Sequence, residues 1–181
     1  INRINKKMKI GSTGGLRKYI PEEYDESGAF WLGVRRETNR VGIPTIENGS
    51  ESLEIRIWEY SLSGRGVFVI RYVDNDWTAD DYKYEGFSTD GDNIDSIAVD
   101  SVRLGKPKTG WDKFMNKLID KGILDIKDYS TIPGYPGGSE FTLIQVEIAA
   151  KNYYRFYWLP HAREVANKIK EAKAMVEILD L

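Results

Sequence analysis

Five side chains near the C-terminal end have the chemistry of a recognition site: Gln145, Glu147, Tyr153, Arg155 and Tyr157. They supply an amide, a carboxylate, a guanidinium and two phenols, groups that can hold a polar ligand or a protein surface by hydrogen bonds. A carboxylate facing a guanidinium across two strands is equally an ordinary structural pair, worth about 0.2–1 kcal/mol when exposed. Other chemistry finds less support. His161 is the single histidine, and no serine or carboxylate stands at a triad spacing from it. Asp90, Asp92 and Asp95 lie close together in DGDNID, yet Asp95 stands where an EF-hand loop needs glycine, and Ser101 where it needs a bidentate glutamate. The glycine-rich GSTGG at 11–15 lacks the Lys-Ser/Thr ending of a phosphate loop. The absence of cysteine excludes thiolate zinc sites, Fe–S clusters and a cysteine nucleophile. No catalytic residue or resident metal is nominated, and no cofactor is implied.

The elements that must position these five residues are two strands and their turn. From Phe141 to Ile148, Thr142, Ile144, Val146 and Ile148 alternate with Phe141, Leu143, Gln145 and Glu147, the period-two pattern of a strand. Residues 153–159 alternate again, with Tyr154, Phe156 and Trp158 opposed to Tyr153, Arg155, Tyr157 and Leu159. A three-residue loop at 150–152, with Asn152 left-handed, pairs 148 with 154, 146 with 156 and 144 with 158. That register makes one face wholly apolar and sets Glu147 opposite Arg155 and Gln145 opposite Tyr157. Pro160 stops the second strand and suits the first position of a helix. The spacing of Ala162, Val165, Ala166, Ile169, Ala172, Val176 and Leu179 predicts one amphipathic helix over 160–179.

Upstream, residues 1–28 lack sustained periodicity and hold Arg3, Lys6, Lys7, Lys9, Arg17 and Lys18 in their first part, which reads as a basic arm. The run AFWLGVRR, 29–36, reads as a first strand. Residues 53–60 and 67–73 alternate as a hairpin with bulk on both faces, so the sheet is covered on both sides, curls toward a barrel, or offers an aromatic patch to a partner. The acidic, turn-rich 74–95 stretch predicts a solvated loop with one helical turn near 77–82, and 96–104 a strand. A helix over 109–121 opens with Thr109 and Asp112 at capping-box spacing and closes at Gly122, with Ile123 reaching back to Leu118. Residues 133–140, with two prolines and three glycines, turn the chain into the hairpin.

At 181 residues, 41% hydrophobic and 30% charged, the composition is that of a soluble globular domain, taken as one α+β unit over 29–181. The net charge of −2 and pI near 5.6 speak against nucleic-acid binding, and no run is long enough for a transmembrane segment. The chain begins with Ile1 rather than Met, as a processed or trimmed form would. Eleven tyrosines and five tryptophans give wide scope for amphipathic contact.

From Gly110 to the C-terminus the chain resembles a group of bacterial proteins of unknown function, frequent among Bacteroidetes. The shared pattern is a helix opening near W-D-x-F, a strand ending in Glu, a Y-R-x-Y strand, a proline and an amphipathic tail helix. Trp111, Asp112, Phe114, Glu147, Tyr154, Arg155, Tyr157 and Pro160 carry it here. Those proteins usually have Asp-Gly before the first strand, where this chain has Gly138-Ser139. The resemblance implies no activity and an exported or envelope location.

The sequence thus predicts an α+β fold: a single antiparallel sheet of about six strands, packed by helices near 109–121 and 160–179. Its function is read as non-enzymatic binding of a protein partner or small ligand through the five hairpin residues. The alternative is a metal-dependent hydrolase or nuclease using carboxylates of the acidic segment and Glu147.

Overall fold

The computed structural model describes residues 1–8, 15–21, 29–61, 64–84, 98–137 and 142–181; the DGDNID stretch and Gly138-Ser139 lie outside them. In chain order the elements are α1 (Asn2–Met8), β1 (Arg17–Tyr19), α2 (Ala29–Val41), β2 (Leu53–Ser61), β3 (Gly64–Val73), β4 (Asp76–Tyr84), β5 (Val99–Leu104) and α3 (Trp111–Asp120). A 3-10 turn (Tyr129–Thr131), β6 (Thr142–Ala150), β7 (Tyr153–Pro160), α4 (Ala162–Val165) and α5 (Lys170–Leu179) complete them.

The seven described strands form one sheet in the order β1-β7-β6-β2-β3-β4-β5, open at both ends rather than closed as a barrel. The fold is α+β as expected, but the sheet is mixed, because β1 runs parallel to β7 while every other pair is antiparallel. Residues 1–28, expected as an arm, supply α1 and β1. Ile4 and Met8 of α1 are buried in the main core, and Arg17 donates its backbone N–H to Asn152 O at 3.1 Å.

Both faces of the sheet are covered. On the apolar face Ile55, Ile57, Ile144, Val146 and Ile148 pack against α1, α3 and α5, which contribute Met8, Leu118 and Met175 among others. The other face carries Trp58, Val67 and Val69 against Val41 and Ile43, and Tyr154, Phe156 and Trp158 against Val34 and Ile46.

Residues 29–36 are not a strand but the first part of α2. Its buried stripe is Val34, Glu37, Thr38 and Val41, a helical spacing whose two middle members are polar. Gly42, at φ 74°, closes it: Ile43 N–H returns to Thr38 O at 3.2 Å and Gly42 N–H to Asn39 O at 3.1 Å. Gly122, at φ 90°, does the same for α3, with Ile123 N–H on Leu118 O at 3.2 Å, as the sequence predicts. The N-cap of α3 is Gly110, without a side-chain cap, so the Thr109–Asp112 box does not form.

The acidic 76–84 run is β4, not a helical turn. A two-residue turn, Asp74-Asn75, with φ of 51° and 64°, leads into it from β3; positive φ at both positions matches strand twist. The single helix expected over 160–179 is broken. Residues 166–168 turn and Ile169 is extended, partly buried against the core, so α4 and α5 are separate.

The β6–β7 register also differs. Ala150 pairs with Tyr153, so the loop has two residues rather than three; Glu147 faces Phe156, and Ile148 faces Arg155. Asn152 is not left-handed, and without that conformation the wider loop has no reason to form. Glu147 and Arg155 therefore project from opposite faces of the sheet.

Candidate functional site

The expected recognition residues are split by this register. Gln145 and Glu147 lie on the charged face together with β2 and β3 side chains, whereas Tyr153, Arg155 and Tyr157 lie on the apolar face.

Glu147 is 2% exposed and accepts two hydrogen bonds, from Trp58 Nε1 at 2.7 Å and Tyr154 OH at 3.0 Å, with Arg56 Nη1 an ion-pair neighbour at 3.9 Å. Burial pushes its carboxyl above the ordinary glutamate range, against the opposing pull of Arg56, Trp58 and Tyr154. From there charges of alternating sign run across four neighbouring strands. Arg56 Nε donates to Glu54 Oε1 at 2.6 Å and Arg71 Nε to Glu54 Oε2 at 3.1 Å. Arg71 Nη1 then donates to Asp80 Oδ2 at 2.8 Å, and Arg103 Nε meets Asp80 Oδ1 at 2.5 Å.

The order Glu147, Arg56, Glu54, Arg71, Asp80, Arg103 grades from the interior to the surface: the Arg56 side chain is 0% exposed and that of Arg103 63%. Three carboxylates balance three guanidinia, which is what allows charge to stay in a layer this dry. Arg56 Nη2 also bonds Pro44 O, tying the segment after α2 to the sheet. A separate buried carboxylate, Glu37 of α2, pairs with Arg40 at 2.5 Å and Arg65 at 3.0 Å. Burial and this carboxylate raise the phenol of Tyr84 well above its ordinary value.

On the apolar face, Tyr157 OH donates to Ile123 O at 2.9 Å, and Arg155 donates to Leu124 O and, at 2.6 Å, to Ile126 O. Arg155 also lies 5.4 Å from the centre of the Tyr157 ring, and Tyr153 packs at 5.3 Å from the Tyr19 ring. These side chains clamp the stretch leaving α3, satisfying carbonyls that would otherwise be stranded beside the core. Four of the five expected residues thus already meet polar or ring partners within the fold, whereas Gln145, 6% exposed, keeps its buried Oε1 without a hydrogen-bond partner.

Space for a ligand lies elsewhere, in a groove of about 1140 Å³ at the β3–β4–β5 end of the apolar face. Its floor includes Gly64 and Gly66, whose missing side chains lower the sheet surface beside Ile57 and Phe68. Trp111, Phe114 and Leu118 of α3 form one wall, and Leu179 and Leu181 close the corner. The rim is charged. Asp81 and Lys83 pair at 3.5 Å, and Lys108 and Lys117 have no ion-pair partner among the described residues. Such a site offers apolar contact and polar orientation, with Glu59, Asp81 and Asp100 among its lining carboxylates. Among the described residues no three His, Asp or Glu side chains are grouped to hold a metal ion, and no helix is long and apolar enough to cross a membrane.

Sequence reading missed the groove because its lining comes from β2 to β5, α3 and the C-terminal segment. One local signal was present: the paired glycines of SGRGVF, which sit inside a strand rather than in its turn. Compared with known proteins, the chain matches no family model and no curated protein.

Proposed function

We propose that this chain is a non-enzymatic binding protein whose ligand seats in the groove between β3–β5 and α3. The observation carrying the reading is the concavity itself: about 1140 Å³ of apolar-walled space with a charged rim, within reach of a small amphipathic molecule or a short peptide. Phe114, half-buried against Trp111 at 5.8 Å, supplies an aromatic wall, and Lys117 one turn on supplies a cation at the rim. The charged face supports the non-enzymatic reading, since Glu54, Glu147 and Asp80 are each engaged with arginine and are not open to a substrate.

The test is a thermal-shift screen of small amphipathic acids and amines, followed by mapping of amide chemical shifts. Binding is expected to move Gly64, Gly66, Leu104 and Phe114, and Phe114→Ala to weaken it about tenfold, equivalent to about 1.4 kcal/mol. Hits that map to the opposite face, or turnover of a hit compound, would overturn the reading.

A further inference from the structure

The two margins of the sheet are treated differently. At one, the outermost strand is β1, only three residues long, which pairs with Tyr153–Arg155 of β7, and the Asp128 carboxylate caps the next stretch of β7 by accepting Trp158 N–H at 2.8 Å. At the other, β5 pairs only with β4 among the described residues, and Asp100, Ser101, Val102 and Arg103 are all exposed. Val102 is 58% exposed, the highest value among the large exposed hydrophobic side chains described. A six-residue strand with an open edge and an outward valine is a template for another strand.

We infer that the partner is a second copy of this chain, joined antiparallel through β5 about a two-fold axis at Arg103. Residues directly opposite in an antiparallel pair share a face, so self-pairing requires each residue to meet one of its own parity. With Arg103 on the axis, Val102 lies opposite the second copy's Leu104 and, once the strand continues two residues past its end at Leu104, Asp100 lies opposite the second copy's Lys106, each contact occurring twice. No other register supplies both contacts: centring on Asp100, Ser101 or Val102 sets Asp100 against itself, Val102 or Leu104, and centring on Leu104 sets it against Lys108 but puts Val102 opposite Lys106. The one like-charge contact, Arg103 with its own copy, falls on a guanidinium already neutralised by Asp80 at 2.5 Å. Lys106 has no ion-pair partner among the described residues. Gly105, between the paired positions, has open space around it, so no side chain obstructs the approach. The pairing goes beyond the ligand reading and does not depend on it, though it brings the second copy's Leu104 and Lys106 beside Leu104 and Asp100, which line the groove.

The experiment is sedimentation velocity over a concentration series of the full chain, with circular dichroism to confirm folding. The parent is expected to sediment as a reversible dimer at high concentration. Asp100→Lys, at an exposed position, sets lysine against lysine twice and should raise the dissociation constant at least tenfold. The exchange Asp100→Lys with Lys106→Asp restores both pairs and should return it to within about threefold of the parent. Val102→Lys should also give monomer. A parent that stays monomeric at the highest concentration overturns the inference, as does an Asp100→Lys dimer of parental affinity or a charge exchange that fails to rescue.

Discussion

Replacing Glu147 by alanine tests the register and the buried charge layer together. The substitution strips Trp58 Nε1 and Tyr154 OH of the acceptor they meet at 2.7 and 3.0 Å, and leaves Arg56 with Glu54 as its remaining carboxylate. Stranding a buried donor costs about 1–3 kcal/mol, and breaking a buried ion pair about 3–5 kcal/mol. These losses share the same atoms and do not add, so the expected cost is about 3–5 kcal/mol, or about 6–20 °C in Tm for a chain of this size. Urea melts followed by circular dichroism would measure it, with two double-mutant cycles as the decisive part. Glu147→Ala and Arg56→Met should couple by at least about 1 kcal/mol, because they belong to one network. Glu147→Ala and Arg155→Ala should add within about 0.5 kcal/mol, because they lie on opposite faces and share no partner. A cost below about 1 kcal/mol, or coupling to Arg155 and not to Arg56, would refute the reasoning.

The raised carboxyl of Glu147 gives a pH test with a definite sign. A carboxyl raised by folding contributes fully below the ordinary glutamate range, and the contribution is lost as pH rises through the raised value. The stability of the parent relative to Glu147→Gln should therefore fall from acid toward neutral pH in urea titrations; a flat or rising difference contradicts the assignment. Gly122→Ala and Gly49→Ala both force alanine to positive φ, at 90° and 92°, but only at Gly49 would the new Cβ meet a backbone oxygen, Lys151 O, at 2.8 Å. Gly122→Ala should cost about 1–2 kcal/mol and Gly49→Ala about 1–3 kcal/mol more; equal midpoints would show that the β6–β7 turn does not press on Gly49. Millimolar Mg²⁺ or Ca²⁺ should leave Tm unchanged, since a ligand stabilises only the state it binds, and a rise of several degrees would favour the hydrolase reading.

What the sequence determined is what local periodicity can carry. The alternations at 53–60, 67–73, 141–148 (described from Thr142 onward) and 153–159 are strands, and the stripe through Trp111, Met115 and Leu118, closed by Gly122, is a helix; together they give the α+β class. The failures occurred where a distant partner outweighed local preference. Asp80 disfavours a strand on its own account, but Arg71 and Arg103 flank it and hold it in β4. The stripe of α2 is hidden by two buried polar residues, Glu37 and Thr38, of which Glu37 has its carboxylate neutralised by Arg40 and Arg65. In the β6–β7 hairpin both strand patterns were read correctly, yet both faces carry bulk, so hydrophobicity could not choose the register. A difference of one residue in loop length then moved Glu147 and Arg155 to opposite faces. The groove and the open edge of β5 have no sequence signature of their own. They exist because the seven described strands order themselves by long-range pairing, leaving one strand last and two glycines facing a helix from another part of the chain.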